Sequence, residues 1–315
     1  MRDFLCSICT FCSAKLIFYL YWIRDSFDVS VTFVKVTEEF LQIILRGRPF
    51  YWPLRYKGDE NTRRLIILAN GPSLQEDLER LKKENTSDVD FAMMNFSIES
   101  PLFLQYKPKY YCLADNAFFS GDYCLERTQN VYKVLNKIVD WDLTLVVSYN
   151  VKAIRDYLSI NNPHIKFQRV FSQRIIDNSI WRNLFYRRGY ATPGLGTVTN
   201  LAAYAGIQEG YKRIEFCGND MSLMEGLHIN DENQTCTYER HFYDKEVKSK
   251  PVMISETQGH TVDSFITMNL AMIKSHKRIA EYGKLMGVSF INRTRSSMLD
   301  CYPRLIKIHP EEFEG

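Results

Sequence analysis

Residues 65–74 read LIILANGPSL, and this run decides the fold of the chain. Four aliphatic residues end abruptly in Asn70-Gly71-Pro72-Ser73, and a polar, helix-compatible segment follows at residues 75–83. The order predicts a buried parallel strand, a tight turn and the start of a helix. A helix N-terminus just beyond a strand favours anions, because its first N–H groups are unpaired. The run therefore indicates a βα unit with a nucleotide or phosphate site, with an ordinary βα turn as the plainer alternative.

Each residue of this turn has a chemical use. Gly71 lets the backbone approach a ligand closely, and Pro72 suits the first turn of a helix. Asn70 and Ser73 carry side chains that can hydrogen-bond to a ligand. We therefore expect all four residues to take part in nucleotide binding.

Strands and helices alternate along the chain from Arg63 onward. Runs typical of strands lie at residues 65–68, 89–94, 110–113, 143–147, 214–217 and 288–291, and helical segments at residues 73–83, 131–137, 198–209 and 262–286. This order predicts an α/β fold, with a Rossmann-like, mostly parallel sheet that carries helices on both faces. In such a fold the ligand crevice lies at the carboxyl ends of the strands.

Polar and glycine residues follow several of these predicted strands in turn. Beyond the 70–73 turn, they are Asn95, Asp115 and Asn116, Thr192-Pro193-Gly194 before a helix, and Gly218-Asn219-Asp220. Amides and hydroxyls predict recognition of a base, a ribose and a phosphate through neutral hydrogen bonds. The Lys-Ser/Thr pair of a P-loop and the acidic ribose ligand of a dinucleotide fold are missing from these positions. One asparagine is equally typical of a loop cap, but four such strand ends in succession favour a binding edge.

The first 60 of the 315 residues form a separate segment, which leaves residues 61–315 as the catalytic domain. Residues 4–23 are almost continuously apolar or aromatic, and that length is just enough to span a bilayer. The aromatic residues near residue 20 resemble interfacial anchors, whereas Lys15 is costly in a bilayer. We expect a helix that lies on the membrane or inserts into it, at the cytoplasmic face of the inner membrane. Packing on its own domain or on a second subunit is the alternative.

Composition excludes some partners. The net charge of +3 is too small to indicate nucleic acid. The eight cysteines are scattered, and several lie inside apolar runs, which favours reduced thiols. Cys6, Cys9 and Cys12 have metal-like spacing but no fourth ligand nearby, so no metal site is predicted. A homo-oligomer remains open.

The ordered motifs resemble those of bacterial sialyltransferases of glycosyltransferase family 42, and of the related motility-accessory-factor domain (domain of unknown function 115). The resemblance covers roughly residues 63–300 and includes Asp115-Asn116-Ala117-Phe118-Phe119 and Gly210-Tyr211-Lys212-Arg213-Ile214. It implies a Rossmann-like fold and transfer of a CMP-activated acidic sugar (sialic acid, another nonulosonate or Kdo) with inversion. It also implies a glycan or glycolipid acceptor in bacterial cell-surface glycan biosynthesis, with no cofactor and no essential metal.

The resemblance also assigns the nucleotide site residue by residue. It places Asn70 and Asn95 on the phosphate and ribose of the donor, and Asp115 or Asn116 on the cytidine or ribose. The turn Thr192-Pro193-Gly194 is implied at the base and carboxylate end.

In the resembled family the general base is a histidine that follows the Gly-x-Asp strand, within a mobile segment. His241 fits that place, inside a polar segment at residues 223–251 that we expect to form an acceptor-binding lid. His228, His260 and His276 compete for the role. Ser222 stands where the sialyltransferases have a tyrosine that stabilises the departing phosphate, so the role is expected to pass to Tyr238, Tyr243 or Arg240. This departure leaves the identity of the acidic sugar open.

Two other classes of function remain as alternatives. The same superfamily resembles a pterin pyrophosphokinase, which would use ATP and Mg²⁺ and would hold the ion on Asp115 and Asp220. The third alternative is a membrane-tethered, non-catalytic protein that binds a nucleotide.

Overall fold

The computed structural model describes residues 54–59, 61–115, 117–120, 125–148, 160–171, 182–238, 241–243, 248–254 and 258–304. The membrane-associating helix expected at residues 4–23 lies outside these ranges, as do Asn116 and Arg240. Within the described ranges, no helix has the length and apolar character needed to cross a membrane.

Seven strands form one entirely parallel sheet. They are β1 (Arg64–Leu68), β2 (Val89–Met94), β3 (Tyr110–Leu113), β4 (Leu143–Val147), β5 (Ile165–Arg169), β6 (Arg213–Cys217) and β10 (Ser289–Asn292). Their order across the sheet is β10-β6-β1-β2-β3-β4-β5, and every neighbouring pair is parallel. A second, antiparallel sheet consists of the short strands β7 (His228–Ile229), β8 (Thr235–Thr237) and β9 (Lys250–Pro251).

The described helices connect and cover the large sheet. They are α1 (Leu74–Leu81), α2 (Leu102–Tyr106), α3 (Ala117–Ser120), α4 (Leu125–Lys137), α5 (Arg182–Arg188), α6 (Val198–Gln208) and α7 (Val262–Leu285). Two 3₁₀ turns lie at Asn95–Glu99 and Ser222–Met224. The α/β class predicted from the sequence is therefore confirmed.

Alternate residues of each strand pack against different helices, which gives the sheet two covered faces. Leu65 and Ile67 belong to an apolar cluster that includes residues of α6 and α7. Ile66 and Leu68 belong to a second cluster, with residues of α1 and α4. Successive side chains of a strand point to opposite faces, so an unbroken aliphatic run is expected when both faces are buried.

The direction of chain progression reverses beside β1. From β1 to β5 the chain adds each strand on one side, and it then places β6 and β10 on the other side of β1. Such a reversal opens a crevice at the carboxyl ends of the two strands that flank it. The strands here are β1 and β6, which are followed by Asn70-Gly71-Pro72-Ser73 and by Gly218-Asn219-Asp220.

Candidate functional site

The loops that follow β1 and β6 are bonded to each other. The Gly71 N–H donates to the Gly218 carbonyl at 2.9 Å, and the Ser73 hydroxyl donates to Asp220 Oδ2 at 2.8 Å. A Cβ atom on Gly71 would overlap both the Asp220 carboxylate and the Gly218 carbonyl. Glycine is therefore required at position 71 for the two loops to approach.

Asp220 occupies the N-terminus of α1. Its carboxylate also lies 3.4 Å from the Ser73 N–H, and the side chain is buried. Burial raises the pKa of Asp220, while the Ser73 hydrogen bonds oppose that shift. The anion at this helix N-terminus is thus a side chain of the protein itself, and a second anion at the same point would be repelled. A phosphate group is therefore disfavoured at this helix N-terminus.

A buried aspartate of α1, which the sequence interpretation missed, supports the loop after β6. Asp77 accepts hydrogen bonds from the Gly218 N–H at 2.7 Å and from the Thr294 hydroxyl at 2.6 Å. Thr294 Oγ1 in turn accepts from the Asn219 N–H at 3.0 Å. Burial raises the pKa of Asp77 above its ordinary value, and the hydrogen bonds from Thr294 and Gly218 oppose that shift. A sequence signal existed, because position 77 falls on the apolar face of the helix, between Leu74 and Leu78.

Three asparagines at this edge carry buried amide atoms without a hydrogen-bond partner among the described residues. These atoms are Oδ1 of Asn70, Oδ1 of Asn95 and Nδ2 of Asn219. Asn95 also has a left-handed backbone, with φ 48°. Buried polar atoms are nearly always paired in proteins, so an unpaired group requires an explanation such as a ligand that is yet to bind. Asn70, Asn95 and Asn219 follow β1, β2 and β6 respectively, and these three strands are adjacent in the sheet.

The segment formed by residues 241–243 docks on the loop after β1. The Phe242 N–H donates to the Asn70 carbonyl at 3.1 Å. The rings of His241 and Tyr243 are stacked, with centroids 5.1 Å apart and an interplanar angle of 3°. His241, the predicted base, therefore directly precedes Phe242, which bonds to the predicted nucleotide site.

A cleft of about 720 Å³ is lined in part by residues of the loops after β1 and β6. Its lining includes the acidic residues Glu76, Asp220 and Glu225, the ring of Tyr238 and three serines. Among the described residues that line it, none is a lysine, an arginine or a histidine. These carboxylates and hydroxyls suit hydroxyl and amino groups of a ligand, and the Glu76 carboxylate already pairs with Arg80.

The competing histidines have structural partners. His228 has both ring nitrogens within hydrogen-bond distance, at 2.7 Å from the Gly226 carbonyl and 3.1 Å from Ser249 Oγ, and it stacks on Tyr238. His260 Nδ1 contacts Ser264 Oγ at 3.0 Å.

His276 is a structural residue of the interior. It lies in α7, as expected, and is almost fully buried. Its ring bonds to Thr197 at 3.1 Å and to Tyr302 at 3.0 Å. Burial lowers its pKa to about 3, so the ring is neutral at physiological pH. A neutral ring enclosed in this way has no access to an acceptor hydroxyl.

The remaining predicted nucleotide contacts lie on other segments of the chain. Thr192 is fully buried, and Arg278 of α7 donates to the Pro193 carbonyl at 2.7 Å. Asp115 is exposed after β3. Strands β3 and β6 are three positions apart, which separates the strand ends by about 14 Å at 4.7–4.9 Å per strand. Asp115 and Asp220 are therefore poorly placed to share one magnesium ion.

Metal-ligating side chains do not converge within the described part of the chain, where no group of three His, Cys, Asp or Glu residues could hold an ion. The described cysteines are free thiols. Burial raises the pKa of both Cys112 and Cys217, so these two stay protonated at neutral pH.

No model of a known protein family matches this chain, and no curated protein is significantly similar to it in sequence.

Proposed function

We propose that this protein is a glycosyltransferase that transfers a CMP-activated acidic sugar to a glycan acceptor with inversion. The observation that carries the proposal is the set of unpaired amide atoms on Asn70, Asn95 and Asn219, on adjacent strands beside a docked histidine segment. A bound ligand that supplies complementary donors and acceptors would remove their unfavourable burial.

A pyrimidine nucleotide has the complementary groups. The amide oxygens of Asn70 and Asn95 can accept from ribose hydroxyls or from the cytosine amino group. The amide nitrogen of Asn219 can donate to a carbonyl or phosphate oxygen. Because carboxylates line the cleft, it is left for hydroxyl groups, and the phosphate is assigned to the Asn219 amide nitrogen.

The chemistry then needs one base. His241 takes the proton of the acceptor hydroxyl as that oxygen bonds to the anomeric carbon. The bond from the anomeric carbon to the phosphate oxygen breaks at the same time, and its electron pair leaves with CMP. Because attack and departure occur on opposite faces, the configuration inverts. Tyr238, Tyr243 and Arg240 remain the proposed groups that stabilise the departing phosphate.

A panel of nucleotide sugars tests the activity. Purified protein would be incubated with CMP-, UDP- and GDP-sugars, with and without Mg²⁺, and free nucleotide would be measured. We expect release of CMP from an acidic CMP-sugar in the presence of EDTA. Turnover of ATP that requires Mg²⁺ would instead favour the pyrophosphokinase alternative, and binding without turnover would favour the non-catalytic one.

Membrane attachment through residues 4–23 is part of the proposal, because many glycan acceptors are carried on lipids. The full-length protein is expected to sediment with liposomes, and a chain that begins near Asn61 is expected to remain in solution and still bind CMP. A full-length protein that stays free of liposomes would contradict this attachment.

A further inference from the structure

An arginine of α4 lies between the nucleotide edge and the 241–243 segment. The guanidinium carbon of Arg127 is 3.9 Å from the ring centroid of Phe96 and 5.3 Å from that of Tyr243. Phe96 directly follows Asn95 in the 3₁₀ turn after β2. One planar cation therefore contacts both an aromatic ring beside the predicted nucleotide site and an aromatic ring of the segment that carries His241.

The charge of Arg127 already has a partner. Its Nε atom donates to Glu99 Oε2 at 2.9 Å, and the two side chains are 39% and 28% exposed. An arginine paired in this way offers little net charge to a phosphate or carboxylate of a substrate. Its flat guanidinium, however, remains suited to stacking on aromatic faces. Arg127 is therefore suited to holding neighbouring segments in position.

We propose that Arg127 is a positioning residue that clamps the 241–243 segment onto the nucleotide edge. The contacts run without interruption from Phe96 to Arg127, from Arg127 to Tyr243, and from Tyr243 to the stacked ring of His241. The Phe242–Asn70 hydrogen bond is the second anchor of the same segment. The clamp thus fixes the orientation of the imidazole, and its catalytic consequence rests on the proposed function.

Hydrogen exchange at the Phe242 amide tests the clamp without reference to activity. That amide donates to Asn70 only while the segment is docked, so its exchange rate reports undocking. Arg127→Ala is expected to raise the rate about tenfold, in line with the loss of stacking on two rings. Arg127→Lys keeps the charge but loses the planar group, and it should not restore the wild-type rate. Lys133→Ala, on the exposed face of the same helix, is the matched control and should change nothing.

Kinetics supply the second measurement. Arg127→Ala should lower kcat by at least tenfold and leave CMP affinity almost unchanged, because the clamp orients the base and does not touch the nucleotide. If the Arg127 variant does not fold, Tyr243→Ala breaks the same stack from the other side and should also accelerate Phe242 exchange.

The outcomes separate the two proposals. Unchanged Phe242 exchange in folded Arg127→Ala and Tyr243→Ala proteins would overturn the clamp. Arg127-dependent protection of Phe242, in a protein that transfers no sugar, would retain the clamp and remove the proposed function.

Discussion

The loop after β6 and the loops after β1 and β2 lie side by side, but they differ in which polar groups the protein itself satisfies. The Gly218 and Asn219 N–H groups are held by Asp77 and Thr294, which are both buried. Asn70 and Asn95 each keep a buried amide oxygen that the described residues leave unpaired. The protein satisfies the backbone N–H groups of the loop after β6 and leaves one donor there unpaired, Asn219 Nδ2, whereas the other two loops each keep an unpaired acceptor for a ligand. Stability and binding should therefore respond to different substitutions.

The largest expected effect is on turnover, at the segment docked on the loop after β1. His241→Ala should lower the transfer rate by about 10²–10⁴-fold, the usual contribution of a general base, with CMP affinity little changed. His228→Ala is the control, because hydrogen bonds already hold both nitrogens of that ring. A dead His228 variant beside an active His241 variant would show that the base is misassigned.

The next effect is on stability, at the loop after β6. Asp77→Ala removes the acceptor of the Gly218 N–H and of the Thr294 hydroxyl, and it should lower the free energy of unfolding by about 2–4 kcal/mol. Urea denaturation measures this change. Glu79→Ala on the exposed side of α1 is the control, with an expected change below about 0.5 kcal/mol. Equal stabilities of the two variants would contradict the supporting role of Asp77.

A smaller effect, on affinity, should appear at Asn70 and Asn95. Replacing either one by alanine should weaken CMP binding by about 1–3 kcal/mol, the range for an unpaired buried group. Stability should stay close to wild type in Asn70→Ala and fall by about 1 kcal/mol in Asn95→Ala, because the φ of 48° disfavours alanine. Calorimetric titration and urea denaturation of the same samples give both numbers. Asn130→Ala, on the exposed side of α4, controls for the loss of an amide. Full affinity in both site variants would mean that the unpaired oxygens serve no nucleotide.

The smallest expected effect is on the pH dependence of stability, at the buried His276, whose two ring nitrogens are both hydrogen-bonded. His276 has a pKa of about 3 in the folded protein, below its ordinary value of 6.5. The unfolded chain therefore binds more protons between these values, and stability falls as the pH drops through that window. The loss should be about 1 kcal/mol between pH 7 and pH 5.5. His276→Gln removes the titrating group and should flatten this acid limb in urea denaturation, whereas an unchanged limb would contradict a neutral ring.

The sequence predicts most of the large sheet because its strands are short runs of apolar residues between turn signals. β2, β3 and β4 have the predicted bounds, β1 and β6 begin one residue earlier than predicted, and β10 is shifted by one residue at both ends. β5 was missed because its sequence, IKFQR, is short and lacks the unbroken aliphatic run of the central strands, and its two cations suit an edge strand. The antiparallel sheet of β7–β9 was missed because strands of two or three residues leave no periodic pattern.

A residue of the site can be predicted from the sequence only where it follows a predicted strand. Asn70, Asn95 and Asp220 follow predicted strands, so their meeting at one edge follows from a parallel sheet. The Asp77–Thr294 bond joins residues 217 positions apart, and no local pattern encodes such a pairing. The same applies to Arg127, whose contacts lie on two separate segments. Supporting residues of this kind become visible only in the folded chain.

The proposed nucleotide site is best tested by CMP binding. CMP would be titrated calorimetrically into the full-length protein in EDTA and then in Mg²⁺, with ATP titrated in parallel. We expect CMP to bind equally well in both buffers, ATP to bind more weakly, and Asn70→Ala to reduce the CMP affinity. An absence of CMP binding, or a strong preference for ATP with Mg²⁺, would contradict the proposed site.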